Sequence, residues 1–349
     1  MTDAPIIEPV LPVDRDAGDL RGTIASRPLE YLPVALFGSV MGLTGLCIAW
    51  RMAAARYGAP ALVADAIAVM AVLAFAAMTA AYLAKCVTAP DAVHAEFQHP
   101  IAGNLFGTAI ISLLLLPIII APVALRLAQG MWIAGATAML GFAWLVVDRW
   151  MGNRQQAAHA TPAWIVPVVG LLDVPLAIPG LELQRLGLPP LHGLMVACLA
   201  IGLFFAMPLF TMVFSRLLFE APLPDALQPT LLILVAPFSV GFSAYVATTG
   251  SVDLFADGLF ALSLFMLTIL IGRLRFLRKC CPFRVSWWAV SFPLAASAVA
   301  AIRFAGAQPG VIADVIALAL LGIASLVIAG LATRTLAGIA RGELRMLSN

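Results

Sequence analysis

The sequence predicts an all-α polytopic membrane protein with ten transmembrane helices, on three observations. Of 349 residues, 62% are hydrophobic and only 11% charged, where soluble domains carry about 25% charged residues. The apolar residues gather in runs of the ~20 residues that a helix needs to cross the hydrocarbon core. Those runs lack the every-second-residue alternation of a membrane β-barrel. A mean hydropathy of +1.02 excludes a disordered chain, which needs low hydrophobicity and high net charge. A net charge of +2 gives no argument for nucleic acid.

Residues 1–30 hold six acidic and three basic residues and no apolar core. They read as a soluble tail rather than a signal peptide. Ten spans follow, near 31–50, 61–84, 101–125, 130–147, 162–181, 191–214, 229–249, 254–272, 285–302 and 311–333. Between the third and fourth, only Arg126 to Gly130 marks a turn. No segment between spans is long enough for a second folded domain, so residues 31–338 form one membrane domain and 339–349 a short tail. Five of the twenty basic residues, Arg51, Arg56, Arg126, Arg185 and Arg303, fall on one side; the other fifteen fall on the side holding both termini. The excess of Lys and Arg marks that side as cytoplasmic, in a bacterial-type inner membrane.

The odd-numbered spans share a proline: Pro33, Pro117, Pro167 with Pro175, Pro237 and Pro293. Interior proline removes a backbone hydrogen bond and bends a helix. In lipid the freed carbonyl needs protein or a water-filled cavity around it. Among even spans only Pro208 is comparable, so the pattern predicts repeated hairpins whose kinked member faces a central axis. The odd spans are also rich in small and hydroxyl residues, among them Gly38, Gly42, Ser239 and Ser291. Such residues suit close helix packing and equally a pore wall. No Lys or Arg is expected in the middle of a span, and Asp173 is the one acid well inside. Intramembrane acids mark proton relays, so Asp173 is the candidate coupling acid; its other reading is a helix break beside Pro175.

Chemical motifs are sparse. His94 and His99 are five apart, off the i, i+4 spacing of paired ligands, and read as a structural loop. No metal, cofactor or catalytic set is indicated, nor an enzyme. Cys280–Cys281 sits in the basic stretch Arg273 to Arg284, which reads as a topology and headgroup anchor.

Four segments then match one family in order and spacing. They are Leu36-Phe37-Gly38-Ser39-Val40-Met41-Gly42-Leu43 running to Ala49-Trp50-Arg51; Glu96-Phe97-Gln98-His99-Pro100 with Asn104 and Phe106; Pro222-Leu223-Pro224 with Pro229-Thr230-Leu231 and Ala236-Pro237; and Ser286-Trp287-Trp288-Ala289-Val290-Ser291-Phe292-Pro293. Across residues 30–338 the sequence resembles the tellurite-resistance/dicarboxylate transporter family, which includes bacterial TehA proteins and the plant slow-type guard-cell anion channels. The resemblance implies five helical hairpins around a quasi-fivefold axis, odd helices inside, assembled as a homotrimer with one pore per subunit in the lipid. It also implies that Phe292 plugs the pore. Independently, Pro293 displaces the backbone where this ring projects, and an aromatic in a narrow apolar tube favours dewetting. The function so implied is an anion channel or channel-like exporter for small inorganic or organic anions. The alternative is a proton-coupled transporter of C4-dicarboxylate, sulfite or tellurite-type oxyanions. With no basic group in the pore, selectivity is expected to rest on diameter, weak donors and backbone dipoles at the kinks. The tails lack the long hydrophilic ends of the plant channels, so phosphorylation gating is not implied.

Overall fold

The computed structural model describes residues 29–280 and 283–348. The N-terminal tail to residue 28 and Cys281 lie outside the described residues, as do the side chains of Arg275, Arg278, Lys279 and Cys280. Ten helical segments are long and apolar enough to span a membrane: span 1 Val34–Tyr57, span 2 Ala61–Thr88, span 3 Ala102–Ile120, span 4 Leu125–Gly152, span 5 Pro162–Gly180, span 6 His192–Phe219, span 7 Asp225–Thr249, span 8 Leu254–Arg273, span 9 Val285–Ala307 and span 10 Val311–Ala340. Among the described residues there is no strand.

One boundary differs from expectation. Arg126–Gly130 lies inside span 4, and the turn before it is Ala121–Ala124. Pro122 explains the position: it cannot extend the helix from the residues before it, whereas Arg126 and Gln129 are good helix formers.

Odd and even spans occupy different layers. Over their central windows, odd spans bury 61–83% of their residues and even spans 22–39%. Each odd span packs against the next, and span 9 returns to span 1, so the five close into a ring. Each even span lies against its own odd partner and the odd span that follows, filling the groove between them. Their outward side chains, such as Leu73, Trp144, Phe204, Phe265 and Leu326, are exposed, as lipid-facing residues should be.

The odd spans are not uniform α-helices. Four begin as 3-10 helix, Val34–Phe37, Ala102–Leu105, Asp225–Val235 and Val285–Val290, before changing to α-helix at Gly38, Phe106, Ala236 and Ser291. Span 5 alternates between the two forms along its whole length. The prolines Pro167, Pro237 and Pro293 therefore fall in the first turn of an α segment, where a missing N–H costs little. Pro117 differs, lying inside the α-helix Phe106–Ile120. Hydroxyls sit at these changes: Ser39 donates to Leu36 O (2.7 Å), Thr108 to Leu105 O (2.7 Å) and Ser291 to Trp288 O (2.6 Å).

At the end where odd spans begin, one buried ionic cluster ties spans 1 and 2 to the short helix Pro90–Gln98. Lys85 Nζ donates to Glu96 Oε2 (2.7 Å) and to Leu32 O (2.7 Å). Tyr82 donates to the same Oε2 (3.0 Å), and Val34 N–H to Oε1 (2.7 Å). The Lys85 side chain is 3% exposed, so both charges depend on each other. His99, weighed above as loop or ligand, accepts at Nδ1 from the N–H groups of Ile101 and Ala102 (3.1 Å each); its role here is a backbone cap. Beyond span 10, the helix Leu344–Ser348 folds back and Leu347 packs on Gly338.

Removing one partner of a buried pair leaves the other charge uncompensated. Glu96→Ala is expected to lower stability by about 3–5 kcal/mol, read as thermal unfolding in detergent, with much of the loss recovered in Lys85→Met/Glu96→Leu. Two glycines of span 1 should respond oppositely. A Cβ on Gly42 collides with the Ser291 side chain, whereas one on Gly38 meets nothing nearer than 3.7 Å. Gly42→Ala should reduce the yield of monodisperse protein in size-exclusion chromatography while Gly38→Ala matches wild type.

Candidate functional site

Inside the ring of odd spans lie two cavities, one after the other along the helices. The first, about 180 Å³, opens toward the end where odd spans begin. Gly38 and Met41 of span 1, Thr108 of span 3, Val169 of span 5, Thr230 of span 7 and Trp288 of span 9 line it. The second, about 60 Å³, lies further along and takes Gly45, Leu115, Leu176, Ser243 and Arg303 from the same five spans in turn. Every odd span contributes to both, and no even span contributes to either. Phe292 is the single residue that borders the two.

The position of Phe292 is set by its neighbours. Ser291 Oγ donates to Gly38 O (3.2 Å) as well as to Trp288 O, which pins the 3-10-to-α change of span 9 against span 1. Gly42 leaves room for that serine, and Gly45 lets span 1 approach Ala295 and the Phe292 ring. Trp288 Nε1 donates to Thr335 Oγ1 of span 10 (2.9 Å), fixing the outer face. With the backbone held from both sides, the ring of Phe292 points into the axis and is 8% exposed.

The two cavities differ in charge. Among the described residues, the larger is lined by the hydroxyl residues Thr108, Thr230, Ser286 and Ser348 and by no charged residue. The smaller has Arg303 in its lining. The sequence reading placed Arg303 outside the spans, but span 9 runs to Ala307. Phe292, Ala296, Val299 and Arg303 follow at i, i+4, i+7 and i+11, one helical face, and all four line this cavity. That spacing is visible in the sequence and is the signal that finds Arg303. The expectation of an interior without a basic group is thereby corrected.

The remaining candidates separate into two sets. Pro33, Gly38 and Pro293 line the larger cavity with Phe292. Gly42, Ser239, Ser291, Pro167 and Pro237 are buried but line neither cavity; their work is packing and backbone satisfaction. Pro117 lines a third recess of about 320 Å³ at the far ends of spans 3 and 5, which shares Ile118 and Leu176 with the smaller cavity and is also lined by Glu182. Asp173 is fully buried, lines neither cavity, and neither carboxyl oxygen has a partner among the described residues. Among the described residues no group of three His, Cys, Asp or Glu is placed to hold a metal ion.

Comparison with known proteins agrees with this architecture. Residues 31–336 match the SLAC1 family, described as voltage-dependent anion channel. The S-type anion channel SLAH3 of Arabidopsis thaliana is 27% identical over 305 residues, covering 85% of this chain and 46% of its own. The guard cell S-type anion channel SLAC1 of the same plant is 23% identical over 309 residues, 85% of this chain and 54% of its own. An uncharacterized transporter of Methanocaldococcus jannaschii is 26% identical over 246 residues, 64% of this chain and 70% of its own. The chain spans about half the length of the plant relatives. Its matched region takes in all but the last few residues of the ten spans described above, and the chain belongs to the SLAC1 family of voltage-dependent anion channels.

Proposed function

We propose that this protein is an anion channel or channel-like exporter, with the ring of odd spans as its pathway and Phe292 as its gate. The observation that carries this reading is that Phe292 alone borders both cavities. An ion moving along the axis meets that ring whichever way it travels. A phenyl ring across a narrow apolar passage offers no hydration and no counter-charge, so the passage dewets. Rotation of one side chain opens it, while the serine bonds hold the backbone.

Small anions are the proposed cargo, by likeness to relatives named as anion channels. The sign fits the lining, where the one charged group is a guanidinium. The basic excess supports cytoplasmic termini, in the proposed bacterial-type inner membrane, with the larger cavity toward the cytoplasm. Assembly as a homotrimer with one pathway per subunit completes the reading. A proton-coupled mechanism through Asp173 gains no support from its position, since it faces neither cavity.

Phe292→Ala should raise anion conductance about ten-fold or more over wild type in planar bilayers, by removing the dewetted constriction. A folded, inserted variant that stays as silent as wild type overturns the gate. In that conducting background, Asp173→Asn should leave currents and their dependence on pH unchanged. Loss of a pH-driven flux would favour the coupled transporter instead.

A further inference from the structure

The smaller cavity holds a polar arrangement that conduction through an open tube does not require. Arg303 projects into it from span 9, four residues before that helix ends. Its one hydrogen bond among the described residues runs from Nη1 to Ser243 O (3.2 Å). A guanidinium has five N–H donors in a rigid fork, so this bond leaves most of them uncommitted. No acidic residue lines the cavity, and among the described residues no ion pair involves Arg303. The second donor is Ser243 itself. Ser243 is 3% exposed and lines the same cavity, and among the described residues its buried hydroxyl has no partner.

The setting of Arg303 is enforced from outside the ring. The next residue, Phe304, stacks on Phe260 of span 8, with centroids 4.2 Å apart and planes at 19°, and leans on Phe242 of span 7 (6.4 Å). Consecutive helical residues differ by about 100° in direction, so anchoring Phe304 outward turns Arg303 to the axis. Arg303 is half-buried, and a cation drawn even partly out of water without a counter-charge is costly. Here the cation and an unused hydroxyl converge on space of about 60 Å³, roughly two water volumes at about 30 Å³ each.

We infer that Arg303 and Ser243 form an anion-holding station on the far side of Phe292, built for one small monovalent inorganic anion such as a halide. This goes beyond the gate and rests on the channel reading only for its consequence in currents. The anion takes charge-assisted hydrogen bonds from the guanidinium and one from the serine hydroxyl, replacing part of its water. Because Phe292 closes the other end, the station is filled from the side where odd spans finish, even when the gate is shut. The two sides of the protein are therefore unequal toward anions.

The probe is bromide. Crystals of the wild-type chain soaked in bromide should show an anomalous peak within hydrogen-bond reach of the Arg303 guanidinium, absent from Arg303→Gln and retained in Arg303→Lys. In Phe292→Ala channels, conductance should saturate with bromide added on the far side. Adding Arg303→Gln should raise the half-saturating concentration about ten-fold, as expected for losing a charge-assisted bond, while Arg303→Lys shifts it less. A wild-type crystal without that peak overturns the station, as does saturation unmoved by Arg303→Gln. A silent Phe292→Ala channel instead sinks the gate, and the crystal still decides the station.

Discussion

Lipid offers no hydrogen bonds, so every backbone group inside the membrane must be satisfied by protein. That constraint governs this fold, because the inner helices break it locally. Each odd span tightens to 3-10 helix or interrupts itself at proline, and each change leaves carbonyls without their usual N–H. The side chains found at those places are the ones that answer. Ser39, Thr108 and Ser291 bond back three residues. From the outer layer, Trp132 Nε1 reaches Val174 O (3.1 Å) and Gln129 Nε2 reaches Leu181 O (2.8 Å), both on or just past the most broken span. In the segment leading into span 3, Trp164 Nε1 of span 5 donates to Pro100 O (3.0 Å) and Arg149 Nη1 of span 4 to Phe97 O (3.0 Å).

Much else follows from where these donors are spent. A ring of regular helices would need no such support and would present only side chains to the axis. A ring of broken helices with unpaid carbonyls would not survive in lipid. The hydroxyls that looked suited to a polar pore wall are mostly consumed in this local repair, which is why Ser239 and Ser291 are buried away from the cavities. The small residues have a matching task. Gly42 admits Ser291 and Gly45 admits Ala295, so spans 1 and 9 approach closely and Ser291 reaches across to Gly38 O. Packing and hydrogen bonding are here one requirement, met by the same few positions.

The large-scale architecture was legible in the sequence because it is written in quantities a single chain displays. Runs of membrane-crossing length give the ten spans, and proline in alternate runs marks the inner layer. The resemblance around Trp287-Trp288 pointed to Phe292, and the structure adds its place between two cavities. Three features differ from the sequence reading. The 3-10 segments have the same apolar pattern as α-helix, and length alone does not separate them. The turn before span 4 was set by Pro122 rather than by the Arg126–Gly130 stretch, since an arginine near a membrane surface is compatible with helix. Arg303 was assigned to a loop because charge was read as ending a span. It sits on the face of Phe292 at helical spacing, a periodicity that outweighs the charge.

The scarcity of charge then acquires a direction. A pathway for anions needs attraction weak enough to let them leave and a barrier that can be withdrawn. On one side of Phe292 the described lining is hydroxyl and apolar. On the other stands a single guanidinium, already sharing one donor with a backbone carbonyl, so its hold is tempered. A second arginine lies one turn beyond Ile48, which also lines that cavity; Arg51 Nη1 is bound to Ile119 O (2.9 Å) at the end of span 3. Arg56, by contrast, is neutralised by Asp314 (2.9 Å) on span 10. Of these three arginines, Arg303 alone lines the cavity beside Phe292. In the proposed pathway such an arrangement would gather anions against the face of Phe292, whose side-chain movement would open it.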